Sequence, residues 1–174
     1  LAEVKIAIDG IGIKAAKKWA NLNKIKTIES QGHGNLGTKM RRQFLKTHAQ
    51  KNIYHQIRNP ILLIGTDVPS ISHFDLIQAL DLLNHKEMVL GPSVDGGYWL
   101  IGLSKKLLKP LCTWPFSGIS WGTNQVLKKT IELASLKQID YQLLQTKNDL
   151  DNITDLSPWL DYQNFQLSAS SYQL

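Results

Sequence analysis

An α/β domain with a mostly parallel sheet is the fold that this 174-residue sequence predicts. Three observations carry the prediction. Strand-like and helix-like segments alternate along the chain. Ile61-Leu62-Leu63-Ile64 is a continuous apolar run, the pattern of a strand buried on both faces. Unusual loops, several rich in glycine, fall at strand ends, where open α/β sheets bind ligands. The length suits one domain, expected over 1–167, with 168–174 as a frayed tail.

Each element follows from local pattern. Val4 to Ile8 alternates as a strand and ends at Gly10 and Gly12. Lys14 to Leu22 is a basic amphipathic helix with Ala15, Ala16, Trp19 and Leu22 expected inside. Lys26 to Glu29 is a short strand, and the glycine loop Gln31–Gly37 follows it. Thr38 to Ile57 is a long helix with Met40, Phe44, Leu45, Ile53, Tyr54 and Ile57 as its apolar stripe, stopped by Pro60. After the Ile61–Ile64 strand, Ser72 and Asp75 form a capping box that starts a helix reaching about Asn84. Met88–Leu90 and Tyr98–Ile101 are strands on either side of Asp95-Gly96-Gly97. Thr123 to Leu136 is a helix with Val126, Leu127, Ile131 and Ala134 inside. Tyr141–Leu144 is a late strand, and Asn152 caps a last helix with Asp155 at its third position.

Composition excludes several classes. At 43% hydrophobic and 20% charged residues, the chain has enough apolar surface for a core and does not read as disordered. Its apolar runs are too short to span a bilayer. One cysteine, Cys112, can form neither an internal disulfide nor a thiolate metal site, so a cytoplasmic setting is expected. The net charge of +6 divides into +9 over residues 1–58 and −3 over 59–174. That division suits a polyanion meeting a carboxylate-held metal, or simply solvated basic helices. The aromatics do not interleave with the lysines and arginines, which argues against a nucleic-acid partner.

Four loops are candidates for chemistry. Asp67 leaves the apolar strand where a carboxylate can hold a divalent ion, although capping a turn is its more ordinary use. Asp149 and Asp151, two apart, point to one side of an extended segment; a solvated acidic turn is the other reading. Mg2+ is held by one or two carboxylates plus substrate phosphates, so carboxylates from two loops suit a metal–nucleotide site. Gly32, Gly34 and Gly37 permit close approach of a flat or anionic ligand, yet match neither the dinucleotide fingerprint nor a Walker loop. Asp95-Gly96-Gly97-Tyr98 offers backbone donors beside a carboxylate, and is equally a hairpin turn. Trp114 and Trp121 flank a loop where they wall a pocket or fill the core.

Together these motifs resemble a known family. The segments 31–40 (QGHGNLGTKM), 63–69 (LIGTDVP), 89–103 (VLGPSVDGGYWLIGL), 121–127 (WGTNQVL) and 149–156 (DLDNITDL) look like the bacterial glycosyltransferase-like proteins labelled radical-SAM/selenodomain-associated transferases. The resemblance implies a three-layer GT-A fold, that of nucleotide-diphospho-sugar transferases, N-terminally truncated here. It further implies Asp67, Asp149 and Asp151 as metal ligands for Mg2+ or Mn2+. Gln31, Gly32, Gly34, Leu36 and Gly37 would lie against the nucleotide. Asp95, Gly96, Gly97, Tyr98, Trp121, Gly122 and Thr123 would face the sugar or acceptor, with Asp67 and Asp95 as the catalytic pair. Asn35 stands where the family usually has Asp, and Asn152-Ile153 where it has Thr-Pro.

The family's first strand and phosphate loop are not found here. That strand would lie between Val4–Ile8 and Ile61–Ile64, so both are expected to show unpaired edges. The expected function is metal-dependent transfer from a nucleotide-activated donor to a small-molecule acceptor, by glycosyl or nucleotidyl transfer. The alternative is an inactive nucleotide-binding or structural relative.

Overall fold

In the computed structural model, residues 3–51, 59–108, 116–150 and 155 are described. Among them lie β1 (Ile6–Ile8), α1 (Ile13–Leu22), β2 (Ile28–Ser30), α2 (Leu36–Lys51), β3 (Ile61–Ile64), α3 (His73–Leu82), β4 (Met88–Pro92), β5 (Tyr98–Leu103), α4 (Val126–Leu136) and β6 (Tyr141–Leu143). β1 and β2 pair in parallel, and β3-β5-β4-β6 form a separate four-stranded sheet. That sheet is mixed, which corrects the expectation of a mostly parallel one. β5 runs antiparallel to both β3 and β4, while β4 and β6 are parallel. The reason is the connection from β4 to β5. Only residues 93–97 separate them, a span that can turn a hairpin but cannot make the crossover needed between parallel strands.

Period-2 alternation divides the sheet's side chains between two cores. Met88, Leu90, Ile101 and Leu103 pack with Met40 and Phe44 of α2, Ala134 of α4 and Phe116. On the other face, Val89, Trp99 and Leu100 pack with Ala79 and Leu83 around α3. Helices therefore cover both faces of the four-stranded sheet. The Phe44 and Phe116 rings lie 5.5 Å apart.

β4 and β5 are the deeply buried strands, whereas all four residues of β3 are half-buried. Ile61–Ile64 packs on both faces, as its apolar run predicts, but it sits at the edge of the sheet. Among the described residues β1 pairs only with β2 and β3 only with β5, in line with the expected open edges. In β1, Ile6 and Ile8 bond to β2 through Ile6 N to Thr27 O and Gln31 N to Ile8 O. Ala7 therefore turns its carbonyl to the outer edge, where the Gln31 side-chain amide donates to it at 3.0 Å.

Other boundaries shift for physical reasons. α1 buries only Ala16 and Ala20, an i, i+4 pair small enough for close approach. Ala15 is exposed, Trp19 is 43% exposed and Leu22 76%, which corrects their assignment to the inner face. α2 begins before Thr38 because Asn35 caps it, accepting the Thr38 amide on its side-chain oxygen at 2.9 Å. α3 carries the predicted capping box between Ser72 and Asp75. Ile53, Tyr54, Ile57, Asn152 and the 168–174 tail lie outside the described residues.

Candidate functional site

β3 and β4 both run antiparallel to β5, and β6 is parallel to β4. The carboxyl ends of β3, β4 and β6 therefore share one end of the sheet, and bring the loops of Asp67, Asp95 and Asp149 together. Backbone bonds join these loops directly. Leu150 N donates to Asp67 O at 2.9 Å, which sets the Asp149 segment against the β3 loop. Lys147 N donates to Pro92 O at 3.0 Å and Val94 N to Lys147 O at 3.1 Å, tying the same segment to the turn after β4.

The Asp67 carboxylate is exposed and folds back over Gly65. A Cβ on Gly65 would lie 2.8 Å from Asp67 Oδ1, so the bare glycine makes room for it. Asp149 is half-buried. Asp151, the third predicted ligand, lies outside the described residues, and among those described no three metal-ligating side chains gather. The backbone bond from Leu150 N to Asp67 O thus holds two carboxylate-bearing loops side by side at this end of the sheet.

The turn at 95–97 is built by its own side chain. Asp95 Oδ1 accepts the Gly97 amide at 2.8 Å, and Gly96 adopts φ +90°. Gly96 presses on Asn124, and its carbonyl accepts from Leu127 N at 2.9 Å, so the turn anchors the start of α4. A register shift at Gly91/Pro92 is a β-bulge, a feature common beside active sites. It lets Trp99 and Leu100 serve one core while Tyr98 faces the other.

Tyr98 meets Trp121 edge to face, with ring centroids 6.4 Å apart. Burial pushes the Tyr98 phenol well above its ordinary pKa, and its hydroxyl makes no hydrogen bond of good geometry. Thr130 beside it donates to Val126 O at 2.8 Å instead. Tyr98→Phe should therefore raise stability, by up to about 1 kcal/mol, since it removes an unsatisfied group and keeps the ring contact. A fall in the urea midpoint would show that the hydroxyl is satisfied.

Trp121 also carries the link to the glycine loop. A Cβ on Gly37 would lie 2.4 Å from Trp121 Nε1, so the ring rests on the bare glycine backbone. Gly32 and Gly34 adopt φ +74° and +115°, conformations that favour glycine. Leu36 is 51% exposed at the start of α2. Gly122 and Thr123 are exposed, and Thr123 Oγ1 donates to Ser120 O at 2.8 Å. The predicted donor and acceptor loops thus meet at Gly37, Trp121, Asn124 and Gly96. Trp114 and Cys112 lie outside the described residues. An open groove of about 590 Å3 runs along α3, and none of its lining residues belongs to these loops.

Two residues of this region are not picked out by sequence reasoning. Lys147 Nζ is held 3.0 Å from Asp75 Oδ2 and 3.0 Å from Ser70 O, and lies over the Trp99 ring. Arg42 donates to the carbonyls of Gln31 and His33, the second at 2.7 Å. No local pattern marks either one, because their partners are brought in by the fold.

Among the described residues no helix is long and apolar enough to cross a membrane. No curated protein matches the chain. Its fold is similar to the crystal structure of a "putative nucleotide-diphospho-sugar transferase" from Desulfovibrio desulfuricans G20, at 27% identity and a TM-score of 0.75. The similarity covers 89% of this chain and 64% of that one, so the chain spans under two thirds of that protein's length. Residues 1–123 match the family described as "Uncharacterized protein conserved in bacteria (DUF2064)", and the chain belongs to that family.

Proposed function

We propose that the chain forms the donor and acceptor loops of a transferase that uses a nucleotide-activated sugar. The hydrogen bond from Leu150 N to Asp67 O carries the reading, because it joins two carboxylate-bearing loops at the ligand-binding end of the sheet. The similarity to the solved "putative nucleotide-diphospho-sugar transferase" supports it. Asp67 and Asp149, with Asp151, would hold Mg2+ or Mn2+, which when bound supplies charge neutralisation at the leaving diphosphate. Gln31 to Gly37 receive the nucleotide, and Asp95–Gly97 with Trp121–Thr123 hold the small-molecule acceptor, with the Tyr98 ring packed in the core beneath them. Positioning and electrostatics carry such transfers more than a strong base does, which suits exposed carboxylates. The chain would then be a transferase of the radical-SAM/selenodomain-associated type, working in the cytoplasm.

Thermal unfolding with Mg2+ or Mn2+ and a panel of nucleotide sugars and nucleoside triphosphates tests the reading. At about a hundredfold excess over Kd, a bound donor contributes about 2.7 kcal/mol. For a domain of this size the melt should rise by roughly 5–10 °C. The rise should need both metal and nucleotide, and should vanish in Asp67→Ala. Products then separate the chemistries: a free nucleoside diphosphate marks glycosyl transfer, and pyrophosphate marks nucleotidyl transfer. A rise that needs no metal, or persists in Asp67→Ala, would overturn the site. Binding without turnover would favour an inactive relative.

A further inference from the structure

We infer that Arg42 is a positioning residue for the nucleotide, acting through the shape of the 31–37 loop. This rests on the reading of that loop as the donor site. The guanidinium donates through Nη1 to Gln31 O and through Nη2 to His33 O, the two carbonyls on either side of Gly32. It lies so close over Gly32 that a Cβ there would sit 2.6 Å from Nη1. Two carbonyls two residues apart are taken by one planar fork, and the glycine between them is pressed flat beneath it.

The rest of the loop is held from other directions. Gln31 is bonded on its amide to Ile8 O at 2.9 Å and through its side chain to Ala7 O at 3.0 Å. The Gly32 amide donates to Ser30 Oγ at 3.1 Å. At the far end Gly37 rests on Trp121, and Asn35 caps α2. Between these anchors, Gly32 and Gly34 both sit at positive φ, and Arg42 supplies the side-chain hold on the 31–33 backbone from α2. Glycines at these positions lack conformational preference of their own, so the fork selects one conformation from many. Lysine keeps the charge but offers a single point donor on a flexible stem, and cannot hold both carbonyls in a fixed plane.

Three measurements on the whole chain test this: amide hydrogen exchange over 31–37 without ligand, nucleotide Kd in Mg2+, and the melting temperature. They are made on wild type, Arg42→Lys and, as a distant surface control, Lys18→Gln on the exposed side of α1. Arg42→Lys should speed loop exchange roughly tenfold, the signature of a lost local constraint. It should weaken nucleotide Kd by roughly tenfold, because a misplaced binding loop loses affinity without losing contacts outright. Its melting temperature should stay within a few degrees of wild type. Lys18→Gln should match wild type in exchange and Kd.

Wild-type Kd in Arg42→Lys overturns the inference and leaves the donor-site reading standing. Weakened Kd with unchanged exchange also overturns it, since Arg42 would then touch the ligand rather than shape the loop. A wild-type chain that binds no nucleotide in the panel removes the donor-site reading and this inference with it.

Discussion

Gly96→Ala is expected to destabilise the chain by about 2–4 kcal/mol, and to displace the loop that faces the proposed acceptor. Two costs combine. Gly96 sits at φ +90°, where an L side chain pays about 1–2 kcal/mol. The new Cβ would also lie 2.2 Å from Asn124 O and 2.9 Å from Asn124 Cα, both backbone atoms with no rotamer to yield. Relief requires moving the turn away from 124, which stretches the bond from Leu127 N to Gly96 O that anchors α4. Two neighbours separate the costs. Gly122 has φ +79° and nothing near its would-be Cβ, so Gly122→Ala should show the conformational cost alone. At Gly97 a Cβ would come 3.1 Å from the Asp95 carboxylate at ordinary φ, so Gly97→Ala should be mildest. Urea midpoints should rank Gly96→Ala lowest, then Gly122→Ala, then Gly97→Ala. Equal midpoints for Gly96→Ala and Gly122→Ala would mean that the Asn124 contact carries no cost.

The second large effect is at Lys147. Its side chain is 9% exposed and that of its partner Asp75 12%. Removing one member of this half-buried pair leaves the other charge partly desolvated, a loss of about 1–3 kcal/mol. Lys147→Met should fall near the lower figure, because Asp75 keeps the Ser72 amide at 2.7 Å and the Ser72 hydroxyl at 2.8 Å. The effect should depend on pH in a defined sense. Burial alone would raise the Asp75 carboxyl, but the Ser72 bonds and the Lys147 ammonium outweigh it and hold the group below its ordinary 3.8. A depressed carboxyl contributes stability that is fully present above 3.8 and is lost as pH falls through the lower folded value. The gap between wild type and Lys147→Met should therefore be widest near neutrality and should close only below pH 3.8, as pH falls through the lowered folded value of Asp75. Adding Asp75→Asn to Lys147→Met should recover part of the loss at pH 7. A gap that stays constant with pH would show that Lys147 acts through packing on Trp99 rather than through its charge.

Much of this molecule is legible from local pattern. The Ser72–Asp75 capping box depends on residues three apart, so sequence alone specifies it. The continuous apolar run of Ile61–Ile64 marks a strand packed on both faces, and its side chains divide between the two cores. The site loops were visible as glycine and carboxylate punctuation at strand ends, before any pairing was known. The short span between β4 and β5 admits only a hairpin, but spacing could not decide that β5 would also pair antiparallel with β3, which a long stretch of chain separates from it. Nor could it foresee that Trp19 and Leu22 stay exposed, since an amphipathic period reports which residues share a face but not which face finds a partner. Lys147 and Arg42 were invisible for the same reason. Lysine 147 meets Asp75 across 72 residues of chain, and Arg42 reaches carbonyls nine and eleven residues back. Sequence by itself determined the order of the elements, the α3 capping box and the residue types in the loops, all fixed by neighbours along the chain. Tertiary structure alone decided which loops meet, because the Leu150–Asp67 bond and the Gly37–Trp121 contact exist only once distant segments are packed against one another.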